Sequence, residues 1–71
     1  MTFDTYKKRL GQRLLDLRGR AELTQVEVAA KAKLTRQHLQ RLEHGNCNPK
    51  LETLFELAKV FGVRVAEIVD L

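Results

Sequence analysis

A single cysteine, Cys47, excludes an internal disulfide, and two histidines beside it make no zinc-ligand spacing. No second cysteine exists to resolve an oxidised thiol, so Cys47 reads as an inert loop residue rather than a redox switch. Long apolar runs are missing, which excludes a membrane-spanning helix, and the opening MTFDTYKKRL has no signal-peptide apolar region. A cytoplasmic protein is expected. Catalytic groups are equally scarce. His38 and His44 share one polar stretch, and no nucleophile, base and orienting group come together around them. The chain does not read as an enzyme, and nothing in it calls for a cofactor. Aromatic residues make up 6% of the chain, and the spacing of Phe3, Tyr6 and Phe55 fits core or interface packing better than single-strand stacking. Repeats, linkers and low-complexity stretches are absent.

What is present suits one small folded unit. The 71 residues, 44% of them hydrophobic, predict a single domain spanning 1–71, near the lower size at which a core suffices without staples. The net charge of +4 favours a polyanionic partner, and its distribution is more informative than its sum. Residues 1–23 hold six Lys/Arg against three acids, and residues 24–50 hold five against two. Residues 51–71 hold two against four, so the last third is expected to face away from nucleic acid.

Apolar periodicity predicts five helices and an all-α fold. The first runs from Asp4 or Thr5 to Arg20, with Leu10, Leu14, Leu17 and Ala21 as its stripe. The second covers Gln25 to Ala32 and the third Arg36 to His44, with Gly45 as the left-handed residue that ends it. Pro49 and Leu51 introduce a fourth, whose Leu51, Leu54, Leu57, Ala58 and Phe61 form a stripe ended by Gly62. A fifth spans Val65 to Val69. The expected core comprises Leu10, Leu14, Leu17, Leu23, Val28, Ala29, Ala32, Leu34, Leu39, Leu42, Leu51, Leu54, Leu57, Ala58, Phe61, Val63 and Ile68.

The stretch Thr24–Glu43 carries the strongest signal, because it packs two short amphipathic helices and a tight turn into twenty residues. Thr24 followed by Glu27 is a capping box, and Val28, Ala29 and Ala32 then fall on one face. Small Ala29 allows a steep, close crossing. Thr35 caps the next helix, whose Leu39 and Leu42 point inward. At about 100° per residue the opposite face presents Gln37, Gln40, Arg41 and His44, with Arg36 at its flank. An arginine fork bridges O6 and N7 of guanine, and a glutamine amide pairs with N6 and N7 of adenine. This is a helix-turn-helix.

Around that unit lie Leu14, Leu17 and Arg18 before it, Glu43 and Gly45 at its close, then Asn48, Pro49, Leu51, Thr53, Leu54, Leu57, Ala58, Gly62 and Val63. Together these closely resemble the DNA-binding domain of the lambda-type repressor and Cro family, often called Xre-type, from about Leu10 to Val69. The resemblance implies a five-helix lambda-repressor-like domain whose helices 2 and 3 form the DNA-binding unit. It implies base contacts from Arg36, Gln37, Gln40 and Arg41, and a phosphate contact from Gln25 at a helix start. Thr35, Lys33 and the loop residues Asn46, Asn48 and Lys50 are further phosphate candidates. It also implies that Arg18 and Glu43 pair across helices 1 and 3 as architecture. Two positions depart from the pattern: glycine is usual in the turns after helices 1 and 2, where a positive φ is needed, and here they hold Glu22 and Lys33. Lys50 stands where a capping side chain is common.

The reading is a sequence-specific regulator of transcription, a repressor, that binds double-stranded DNA as a homodimer on an inverted repeat. One helix reads only about half a turn of duplex, and two-fold symmetry doubles the information. Val63, Val65, Ile68 and Val69 are the expected dimer interface. A phage repressor, a restriction-modification controller and an antitoxin with a toxin partner all fit this domain. The competing class is a protein-interaction module whose third helix binds an acidic protein.

Overall fold

In the computed structural model, which describes residues 1–71, five helices follow one another: α1 (Phe3–Arg20), α2 (Gln25–Lys31), α3 (Arg36–Glu43), α4 (Leu51–Phe61) and α5 (Val65–Val69). Short polar side chains start the first three. The Thr2 hydroxyl accepts from the Thr5 N–H, so α1 begins one residue earlier than Asp4, which instead sits in the first turn facing the helix dipole. Thr24 and Glu27 form the reciprocal box: the Glu27 N–H donates to the Thr24 hydroxyl at 3.1 Å, and the Thr24 N–H donates to the Glu27 carboxylate at 2.9 Å. The backbone hydrogen bond from Thr24, seconded by its hydroxyl, holds the Glu27 carboxyl below the usual glutamate range. Thr35 accepts from the His38 N–H at 3.0 Å. Lys50 gives α4 no side-chain cap.

The helix ends follow the turn chemistry. Gly45 and Gly62 take positive φ after α3 and α4, and so do Glu22 (φ 57°) and Lys33 (φ 61°) in the turns flanking α2. Those two non-glycine residues carry a strain on the order of 1 kcal/mol each. Ala32 and His44, expected inside their helices, are the residues that end α2 and α3.

One apolar core of Leu10, Leu14, Val28, Ala29, Ala32, Leu39, Leu42, Leu54, Leu57, Ala58 and Ile68 joins all five helices. Leu17, Leu23, Leu34, Phe61 and Val63 pack half-buried against it. One core expectation fails. Leu51 is 73% exposed, because it opens α4 and its side chain tilts back past the end of the core, where no element covers it. Ala21, expected on the apolar stripe of the first helix, instead follows the end of α1 and is exposed.

Gly11 was not singled out by its sequence context, yet it fixes how α1 crosses α3. A methyl group there would lie 2.7 Å from the carbonyl oxygen of Leu42 and would run into the Glu43 backbone. The helices touch backbone to backbone at that point. α5 is tied to α1 by side chains that reach its last carbonyls: the Tyr6 hydroxyl donates to Val69, and Arg13 donates to Glu67 and Asp70. No helix is long and apolar enough to cross a membrane.

Candidate nucleic-acid interface

α3 turns Leu39 and Leu42 into the core and leaves Arg36, Gln37, Gln40 and Arg41 exposed on the other side. The structure thus gathers all four expected base-reading residues on one solvent-facing helix surface. His44 is exposed just beyond them, and His38 is half-buried. Long polar side chains on a short helix read bases only if the helix itself is held, and the interior supplies that hold.

The hold is a hydrogen-bonded chain running from α1 to the start of α3. Arg18 Nε donates to Glu43 Oε2 at 2.7 Å and its Nη2 to Oε1 at 3.2 Å, a two-pronged pair. The Glu43 side chain is only 2% exposed and that of Arg18 20%. A third donor completes the carboxylate: Gln25 Nε2 reaches Oε1 at 2.9 Å. Arg18 Nη1 also donates to the Leu23 carbonyl, which pins the turn between α1 and α2. Gln25 then accepts, through its own carbonyl oxygen, from Arg36 Nε at 3.3 Å. One amide of Gln25 therefore links the buried ion pair to a side chain of the exposed face. That link was missed in the sequence, where the available signal was a repeated pattern: Gln25 and Arg36 each follow a capping threonine, at the first residue of α2 and of α3.

The phosphate candidates sit around this face. Gln25 is half-buried at the start of α2, and one of its amide hydrogens lies outside the chain just described. Thr35 spends its oxygen on the α3 cap and keeps a hydroxyl proton to donate. Lys33, in the turn between α2 and α3, is exposed, as are Asn46, Asn48 and Lys50 in the loop that follows α3. Cys47, within that loop, is a free, half-buried thiol packed against the core. Gly45 brings the loop hard against α1, where a methyl group would lie 2.8 Å from the Lys8 Cα.

A family profile described as helix-turn-helix matches residues 14–68. The chain belongs to this helix-turn-helix family. An immunity repressor of Bacillus phage phi105 is 42% identical over 60 residues, which make up 84% of this chain and 42% of that repressor. An HTH-type transcriptional regulator of Sinorhizobium fredii is 41% identical over 63 residues, 89% of this chain and 82% of that protein. The chain thus spans less than half of the phage repressor and most of the Sinorhizobium regulator. Among solved structures, the restriction-modification controller protein C.AhdI from Aeromonas hydrophila matches with a TM-score of 0.84 at 30% identity, over 86% of this chain and 92% of the controller. Helix-turn-helix membership places the chain with DNA-binding transcription regulators and not with enzymes.

Members of the helix-turn-helix family bind double-stranded DNA and often dimerise, and here one of the expected dimer residues, Ile68, needs correction. Ile68 is fully buried and closes the core of its own protomer. It has no surface to offer a partner. Val63, Val65 and Val69 are half-buried against the same core, because a five-residue helix laid over α1 and α4 turns its apolar side inward. The exposed large apolar side chains nearest in sequence are Leu51 and Phe55 on α4.

Proposed function

We propose that this protein is a cytoplasmic repressor of transcription that binds a specific double-stranded DNA sequence, as a homodimer on an inverted repeat. The observation that carries the reading is the exposed row Arg36, Gln37, Gln40 and Arg41 on a helix held from behind by the Arg18, Glu43 and Gln25 chain. Arginine forks and glutamine amides are the groups that tell guanine and adenine apart in the major groove. Gln25, Lys33, Thr35, Asn46, Asn48 and Lys50 flank the row, and in this reading they hold phosphates and set the register. Repressor action is supported by relatives: besides the phage phi105 protein, a transcriptional repressor of a cryptic Vibrio cholerae phage is 40% identical over 58 residues.

Selection from a pool of random duplexes tests it. A two-fold repeated sequence should be enriched, and its affinity should fall steeply with salt. Two to four phosphate-neutralising cations per protomer give a slope of log K against log salt of about −4 to −7 for a dimer. Enrichment of no sequence, with equal affinity for every duplex, would overturn the reading.

A further inference from the structure

We propose that Lys8, on α1, is a further contact to the DNA backbone, so that the phosphate-holding edge of the interface runs from the loop after α3 onto the first helix. The proposal rests on the DNA-binding reading and adds to it an element outside the helix-turn-helix and its loop.

α1 carries six cations, and five of them are engaged within the protein. Lys7 pairs with Asp4 at 3.4 Å, Arg18 with Glu43 at 2.7 Å and Arg20 with Asp16 at 2.9 Å. Arg9 donates to the Leu71 carbonyl, and Arg13 to those of Glu67 and Asp70. Lys8 is the exception: it is exposed and has no carboxylate within ion-pair reach. A free lysine is an ordinary surface group, and only its placement gives it a task.

Two glycines fix that placement. Gly11 lets α1 cross α3 backbone to backbone, and one turn earlier on α1 the buried Gly45 lets the end of α3 close on Lys8 itself. A methyl group at position 45 would lie 2.8 Å from the Lys8 Cα and 2.9 Å from its Cγ, so the lysine stem is laid over the junction between α3 and its loop. His44 before that junction and Asn46 after it are both exposed. The stem thus rests on protein while the ammonium stays in water, which restricts where the charge can go.

The end of α3 does not call on this charge. Its last carbonyls already accept from the backbone: Gln40 from the His44 N–H, Arg41 from that of Asn46 and Leu42 from that of Gly45. Asp4, one turn before Lys8 on α1, is held by Lys7. An unpaired cation with a seated stem, beside the polar loop that closes the reading helix, fits a phosphate next to those the loop residues hold in that reading.

Salt titrations of the whole chain by fluorescence anisotropy, on a duplex carrying one half-site recovered by selection and on a scrambled duplex, test it. Lys8→Gln should reduce the slope of log K against log salt by about 0.9 on both duplexes, the share of one phosphate. The parent's advantage over that variant should accordingly shrink roughly 3–4-fold between about 50 and 200 mM salt. Lys8→Arg should keep the parent slope, and so should Lys59→Gln, which removes the same charge from α4. Thermal melts should find Lys8→Gln folded, since glutamine retains the stem over Gly45. An unchanged slope for Lys8→Gln, an equal reduction for Lys59→Gln, or a loss confined to the selected duplex overturns the proposal and leaves the DNA reading standing. A parent that binds no duplex at any salt concentration overturns both.

Discussion

Replacing Arg18 with alanine removes two of the three donors that satisfy the Glu43 carboxylate and leaves only the Gln25 amide. The carboxylate is 2% exposed and cannot turn to water, so the loss is that of breaking a buried pair, about 3–5 kcal/mol. A domain of this size is stable by roughly 4–10 kcal/mol, so Arg18→Ala should leave it close to unfolding. The reverse truncation is milder. Glu43→Gln keeps the shape and strands a guanidinium that is 20% exposed and still bonded to the Leu23 carbonyl, for a loss of about 1–3 kcal/mol. Replacing both residues together, as Arg18→Met with Glu43→Leu, removes the stranded charge and should recover much of the deficit. Thermal melts followed by circular dichroism read the series. At about 4–8 °C per kcal/mol, Arg18→Ala should melt at least 12 °C or so below the parent. Small, additive losses under about 1 kcal/mol for the two single variants would show a surface pair and refute the reasoning.

Two glycines of α1 should respond with opposite signs. Gly11→Ala drives a methyl into the α3 backbone and should destabilise by about 1–3 kcal/mol or more, whereas Gly19→Ala meets nothing within 4 Å and should stabilise by about 0.5–1 kcal/mol. Denaturant midpoints check both, and the same sign for the two would contradict the crossing described. Glu22→Gly relieves a left-handed residue and should raise stability by roughly 1 kcal/mol in the same assay; a loss would mean that Glu22 makes a compensating interaction. The lowered Glu27 carboxyl predicts a pH effect. Its contribution is fully present above the ordinary glutamate range and fades as pH falls through the lowered value, so the parent's advantage over Glu27→Gln should shrink on acidification. An advantage that grows in acid would reverse the sign.

Much of this architecture is local in origin and was legible in the chain. Capping threonines, glycines at helix ends and apolar periodicity put all five helices within a residue or so of their expected bounds, and every buried apolar residue was among those expected. The left-handed turns were legible as well, since the turn demands positive φ whichever residue stands there. What escaped depends on elements far apart in sequence. The need for glycine at position 11 arises only where α1 meets the α3 backbone, and Ile68, expected both in the core and at a dimer interface, is left with the core alone only once α5 lies on it. Periodicity counted Leu51 as core because it sees the angle around the helix and not whether anything lies opposite its first turn. The Gln25 to Arg36 bond needed the crossing angle of α2 and α3, which no spacing prints. The exposed row of α3 followed from periodicity alone, because Leu39 and Leu42 leave its other face nowhere to go but outward.

The central claim is that this row reads bases while the loop beyond it holds phosphates, and one comparison of two variants by fluorescence anisotropy tests it. On the duplex recovered by selection, Arg41→Ala should weaken binding by about 1–3 kcal/mol, roughly 5–150-fold, and relax the preference at one base position, with little change on a scrambled duplex. Lys50→Ala should weaken both duplexes about equally and reduce the salt slope by about 1. An Arg41→Ala protein that loses the same affinity for selected and scrambled DNA would contradict the account.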